Sequence, residues 1–193
     1  LQTAQTPLMV FDCSFDLMKP SAGYESYLDS HITGALYANL DTDLSAKNDP
    51  TAMSGGRHPL PTRERFAAWL ASIGFSNETQ AVVYDRQGTL VAGRLWWMLK
   101  WLGHERVAVL DGGFKTYTAA QATLAVGLER NRPASQSAQG FQLMPSLVSL
   151  VDASVVAPLI GSVQTAIVDA RATPRFKGEV EPLDPVEIGR AHV

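Results

Sequence analysis

Four times along this chain a short apolar run stops at an aspartate. Leu8-Met9-Val10-Phe11 ends at Asp12, Ala81-Val82-Val83-Tyr84 at Asp85, Val107-Ala108-Val109-Leu110 at Asp111, and Ala166-Ile167-Val168 at Asp169. Runs this short that are apolar at every position read as strands buried on both faces, the signature of a parallel sheet covered by helices. Segments of helical period stand between them. A polar helical stretch runs from Ala22 to about Ser30 and leads into a turn at His31-Ile32-Thr33-Gly34. Thr62 opens a second helix in which Phe66, Trp69, Leu70 and Ile73 fall at helical spacing, and Gly74 ends it. A third helix spans about Val91 to Leu102, with Leu95, Met98, Leu99 and Leu102 along one face and Gly103 as its stop. The β-helix-β rhythm predicts an α/β fold of three layers around a central parallel sheet.

Composition narrows the function classes. The 193 residues carry 16 basic and 19 acidic side chains and are 46% hydrophobic. That is too apolar for disorder and lacks the basic excess of a nucleic-acid binder. No apolar run approaches the roughly 18 residues that span a bilayer. The single cysteine, Cys13, excludes an internal disulfide framework and any paired-Cys zinc spacing. The expectation is a soluble, cytoplasmic protein of a reducing compartment, with no metal, cofactor, nucleic-acid or membrane partner.

The start of the chain recurs near its end. Val10-Phe11-Asp12-Cys13-Ser14, followed by His31-Ile32, is echoed by Ile167-Val168-Asp169-Ala170-Arg171, followed by His192-Val193. A self-match separated by about 160 residues is a duplicated domain rather than a solenoid repeat. Glu129 to Gly140 is polar, lacks an apolar period and contains Pro133. Residues 1–126 therefore read as one complete copy, 127–145 as a linker, and 146–193 as the truncated opening of a second copy. Asp152 is positioned to cap a helix running to about Ile160.

The loop Asp85-Arg86-Gln87-Gly88-Thr89-Leu90 leaves one strand and enters a helix N-terminus. Ligands of open parallel sheets bind outside the carboxyl ends of strands. A tight loop there aims successive N–H groups at one point, which suits an anion. Asp85 is an acid placed to fill that cradle itself, capping the turn and repelling an anionic substrate.

Asp29-Ser30-His31-Ile32-Thr33-Gly34-Ala35, Val83-Tyr84-Asp85, Arg94-Leu95-Trp96-Trp97-Met98-Leu99, Leu102-Gly103-His104 and Val109-Leu110-Asp111-Gly112-Gly113 together resemble the N-terminal half of tandem-rhodanese sulfurtransferases. The segment Val168-Asp169-Ala170-Arg171-Ala172-Thr173-Pro174-Arg175-Phe176, with Glu181-Pro182, resembles the opening of their catalytic half. The resemblance implies a rhodanese-like fold and transfer of a sulfane sulfur from thiosulfate or 3-mercaptopyruvate through a cysteine persulfide. The acceptor it implies is cyanide, a thiol or a thioredoxin-like protein. The nucleophilic cysteine is expected beyond Val193, and the first copy carries Asp85 in its place, so that Asp85 to Leu90 form a degenerate active loop. Cys13, at a strand end with no neighbouring His or Lys, reads as a small buried hydrophobe.

The same resemblance assigns further residues. Arg175 matches the arginine that grips the anionic donor, and Arg171 a second arginine of that motif. Ion pairing with Glu179, Glu181 or Asp184 is the competing role for both. Asp41 and His58 match a pair that mercaptopyruvate-type members use as a proton relay, where a hydrogen bond from the imidazole to the carboxylate fixes the tautomer and raises basicity; interface packing by His58 is the alternative. Asp184 stands where those members carry another arginine, which resembles the thiosulfate type, so donor choice stays open. The stretch Ala46 to Ser54 is a loop without an assigned role. The tryptophans Trp96, Trp97 and Trp101 read as packing residues, and His104 as a partner of the preceding helix end.

Two rival readings are kept. Val83-Tyr84-Asp85-Arg86-Gln87-Gly88-Thr89-Leu90 is similar to the opening of haloacid-dehalogenase-type phosphohydrolases, with Asp85 as nucleophile but Gln87 where a second acid is needed. The other is a catalytically dead rhodanese module that binds or regulates.

Overall fold

The computed structural model describes residues 6–129 and 140–182. The chain divides into two compact units, Leu1–Ser149 and Leu150–Val193. The first unit runs β1 (Leu8–Asp12), α1 (Ala22–Asp29), β2 (His31–Ile32), β3 (Ala35–Tyr37), α2 (Arg63–Ser72), β4 (Gln80–Tyr84), α3 (Ala92–Trp101), β5 (Val107–Val109), α4 (Gly113–Ala119) and β6 (Leu124–Ala125).

Four strands form an all-parallel sheet in the order β3-β1-β4-β5. β1 is hydrogen-bonded on both sides, pairing Phe11 with Leu36 of β3 and with Val83 of β4. Such a central strand needs apolar residues on both faces, and the run Leu8 to Phe11 supplies them. On one face, Phe11, Ala81 and Val83 meet Phe66 and Leu70 of α2 and Leu95, Met98 and Leu99 of α3 in the main core. On the other, Val10, Ala35 and Tyr84 meet Phe114 and Tyr117 of α4. The α/β expectation of helices on both faces is what the structure shows.

Local signals set the ends of the helices. Thr62 Oγ1 accepts from Arg65 N at 3.1 Å and caps α2. Beyond α3, Gly103 takes φ +83°, and a Cβ there would lie 2.5 Å from the Pro145 carbonyl oxygen that crosses it. Gly23 is needed for a different reason, since a Cβ on it would stand 2.0 Å from Ser14 O. α1 can reach the loop after β1 only because that atom is missing.

Several elements differ from the sequence reading. β3, α4 and β6 are additional: each is short, and the two strands take their stability from pairing rather than from a pattern of their own. β2 and β6 form a separate antiparallel pair, so His31 and Ile32 are strand residues and the expected turn is confined to Thr33 and Gly34. The first unit also continues to Ser149. Phe141 packs 5.8 Å from Phe75 and 5.9 Å from His104, and Met144 N donates to Leu102 O at 3.0 Å. The segment expected as a linker over 127–145 is therefore anchored to this unit at Gly127–Glu129 and at Phe141–Pro145; its middle lies outside the described residues.

The second unit contains α5 (Ala153–Val156), a 3-10 turn at Ala157–Leu159 and α6 (Thr173–Phe176). Asp152 caps α5 through Ser154 N at 2.9 Å, as the sequence predicts. The strand expected over Ala166–Val168 does not form; Ile167 and Val168 are 51% and 84% exposed. A strand needs a neighbour to take its backbone hydrogen bonds, and the described residues of this unit provide none.

Candidate active site

The crevice of an open parallel sheet lies where successive strands go to opposite sides. Here it falls between β1, which leads on to β3, and β4, which is its neighbour on the other side. The loop from Asp85 to Leu90 leaves β4 at that point and enters α3.

Both oxygens of Asp85 are saturated by this loop. Oδ1 accepts from Gln87 N at 3.0 Å and Thr89 N at 2.8 Å. Oδ2 accepts from Val91 N at 2.8 Å and Ala92 N at 2.9 Å. Gly88 and Thr89 reach this geometry with φ of +76° and +72°. The result is an anion cradle at a helix N-terminus, filled by the protein's own buried carboxylate. Gln87, Gly88, Thr89 and Leu90 are exposed around it. Arg86 contributes nothing to the cradle. Its guanidinium lies 3.6 Å over the Phe114 ring, donates to Ser26 O at 3.0 Å and to Ser30 O, and approaches Asp12 Oδ2 at 3.6 Å. It fastens the loop to the end of α1. With every Asp85 lone pair directed at an amide, the phosphohydrolase reading fails: an attacking carboxylate must present an oxygen to solvent or substrate.

A cavity of about 280 Å3 opens beside this loop, lined by Phe15, Leu17, Leu40, His58, Leu90, Val91 and Arg94. His58, on the cavity wall, hydrogen-bonds through Nε2 to Asp41 Oδ1 at 3.0 Å, so the expected pair is brought together. Its ring meets Phe15 edge-to-face at 5.8 Å. Arg94 is a residue whose positioning role the sequence reading missed. Nε and Nη2 donate to Leu44 O at 3.1 and 2.7 Å, and Nη2 also donates to His58 O at 2.9 Å. An arginine in the first turn of a helix whose other charged residue, Lys100, lies in its last turn was the available signal. The expected rise in His58 basicity is corrected: burial, then the Lys47 ammonium, pull its pKa below the usual value and outweigh the opposing pull of Asp41.

Cys13 lies at the end of β1, wholly buried, its N–H donated to Tyr84 O at 2.8 Å. Burial first, then the carboxylates of Asp12 and Asp85, push its thiol well above the ordinary range. Such a thiol supplies almost no thiolate.

In the second unit Arg171 is bound to Asp169, with Nη2 to Oδ2 at 2.6 Å and Nε to both oxygens at 3.0 Å. Arg175 donates from Nε and Nη2 to Glu181 Oε2 at 3.1 and 2.8 Å. Asp184 and His192 lie outside the described residues. Among the described residues, no three His, Cys, Asp or Glu side chains are grouped to hold a metal ion, and no helix is long and apolar enough to cross a membrane.

A parallel sheet with its anion cradle between β4 and α3 is the architecture of the rhodanese-like domain, and residues 3–120 match the model of that family. The chain belongs to the rhodanese-like family. It is 41% identical over 184 residues to a Pseudomonas aeruginosa protein named "Probable 3-mercaptopyruvate sulfurtransferase", covering 95% of this chain and 62% of that one. Human 3-mercaptopyruvate sulfurtransferase is 33% identical over 192 residues, covering 96% of this chain and 60% of the human one. The solved structure of 3-mercaptopyruvate sulfurtransferase from Leishmania major superposes with a TM-score of 0.68 at 31% identity, over 88% of this chain and 44% of its own. The chain thus spans less than two thirds of the length of these relatives.

Proposed function

We propose that these residues belong to a cytoplasmic sulfurtransferase that moves a sulfane sulfur from a small anionic donor, 3-mercaptopyruvate or thiosulfate, to cyanide, a thiol or a thioredoxin-like acceptor. The observation that carries the reading is His58 on the wall of the cavity, hydrogen-bonded to Asp41 behind it, in a chain whose relatives bear the name 3-mercaptopyruvate sulfurtransferase. A cysteine thiolate from outside this chain attacks the thiol sulfur of 3-mercaptopyruvate or the outer sulfur of thiosulfate. A persulfide forms, and the donor's own bond to that sulfur breaks with its electron pair leaving on pyruvate enolate or sulfite. The acceptor then takes the sulfur and restores the thiolate. His58, held uncharged, relays the proton, and Asp41 fixes its tautomer. Arg175, oriented by Glu181, grips the donor's anionic end, while Arg171 is held by Asp169 and shapes the turn. The Asp85 loop plays no chemical part, because the Asp85 side chain, bound by four loop amides, occupies the place a thiolate would need.

In a protein carrying both halves, His58→Asn should lower turnover of 3-mercaptopyruvate by about 10²- to 10⁴-fold, the range of a general acid–base group. Unchanged turnover would remove His58 from the chemistry. The filled cradle also supports a second reading, a rhodanese module that binds or regulates. The two part on whether any protein containing this chain gains the mass of one sulfur after treatment with thiosulfate.

A further inference from the structure

One oxygen of Asp41 serves two nitrogens. Oδ1 accepts from His58 Nε2 at 3.0 Å and lies 2.5 Å from Lys47 Nζ. The arrangement is built into the backbone: Ala46 N donates to Pro59 O at 2.8 Å, which sets the residues next to Lys47 and His58 side by side. Arg94 then ties Leu44 and His58 from the α3 side. Lys47 stands in the Ala46–Ser54 stretch, to which the sequence reading gives no role.

An aspartate alone beside a histidine favours the imidazolium, since the opposite charge stabilises the protonated ring. A ring already protonated on both nitrogens cannot accept a proton. The charged groups facing this imidazole are Asp41 and Lys47 from the loop between β3 and α2 and Arg94 from α3, while Phe15 adds an uncharged ring in T-shaped contact. Asp41 is outnumbered. We propose that Lys47 is a positioning residue of the relay: by sharing Asp41 Oδ1 it neutralises the carboxylate, leaving His58 uncharged with its proton on Nε2 and its lone pair on Nδ1. The proposal rests on the reading of Asp41 and His58 as a proton relay. Among the charged neighbours, Lys47 contributes the largest downward pull on His58 after burial itself.

The four histidines of the chain allow ring titration by NMR, with His58 assigned through His58→Gln. In Lys47→Met the His58 midpoint should move to higher pH, and Lys47→Arg should restore it, with the α3 amide signals unchanged in both. A His58 midpoint that stays put in Lys47→Met, with α3 intact, overturns the proposal. In a protein carrying both halves, the acidic limb of the kcat/KM profile for 3-mercaptopyruvate should move upward with the ring. If the ring moves and the limb does not, the relay reading fails and the role of Lys47 in setting the ring's charge stands.

Discussion

The turn after β1 and its counterpart in the second unit are built from the same local instruction and end in different states. Asp12 Oδ1 accepts from Ser14 N at 2.9 Å, and Asp169 Oδ1 accepts from Arg171 N at 2.9 Å. Each is an aspartate bonding the amide two residues on, a turn that short-range chemistry specifies without help. The residues leading in do not share a fate. Phe11 is fully buried in a strand paired on both sides, whereas Val168 at the matching position is 84% exposed and unpaired. A turn is encoded by its own side chains; a strand is encoded only together with its neighbours.

The sharpest way to break this comparison is to truncate the matching side chains. Phe11→Ala should destabilise the first unit by about 3–5 kcal/mol, the cost of emptying a large aromatic site in a packed core. Val168→Ala should change stability by no more than about 0.5 kcal/mol. Urea unfolding followed by tryptophan fluorescence measures both, and equal losses would mean that Val168 is packed in solution.

The two aspartates should next differ in the sign of their pH linkage. Burial raises the Asp12 pKa above the usual value, chiefly by desolvation. Its contribution is then fully present below the ordinary aspartate value of about 3.9 and is lost as pH rises through the higher folded value. The hydrogen bonds from Arg171 lower the Asp169 pKa, so its contribution is present above the ordinary value and is lost as pH falls through the lower folded one. Carboxyl-carbon NMR titration should place the Asp12 midpoint above 3.9 and that of Asp169 below it. Asp12→Asn should correspondingly gain stability relative to the parent as pH rises, and a common midpoint for both carboxyls would erase the contrast.

The smallest effect tests the caps. Thr62→Ala should cost the first unit about 1 kcal/mol through the lost bond to Arg65 N. Asp152→Ala, at the start of a four-residue helix with no buried side chain, should leave that unfolding transition where it is.

What was legible in the sequence follows the same division. The three apolar runs of the central sheet, the α2 cap and the apolar stripe of α3 are short-range patterns, and each is where the sequence places it. β3, α4 and β6 were illegible because two to seven residues carry no period, and it is Val10, His31 and Tyr84 elsewhere in the chain that make them elements. At the site, the sequence pattern disclosed the Asp85 cradle, and the family resemblance implied the pairing of Asp41 with His58. The charge state of His58 did not follow, since it depends on Lys47 and Arg94, which the chain brings in from different elements. Phe141 has no legible role in the sequence because one aromatic in a polar stretch has no pattern; its partners, Phe75 and His104, lie far away in sequence.

The sealed position of Cys13 has a practical consequence. A thiol that is both covered and held protonated will not meet a maleimide or an oxidant while the sheet is closed, so alkylation of the native chain counts only those molecules in which β1 has opened. The protein thereby carries its own probe of sheet opening, and a second cysteine introduced on the surface, for instance Lys115→Cys, would take a dye alone.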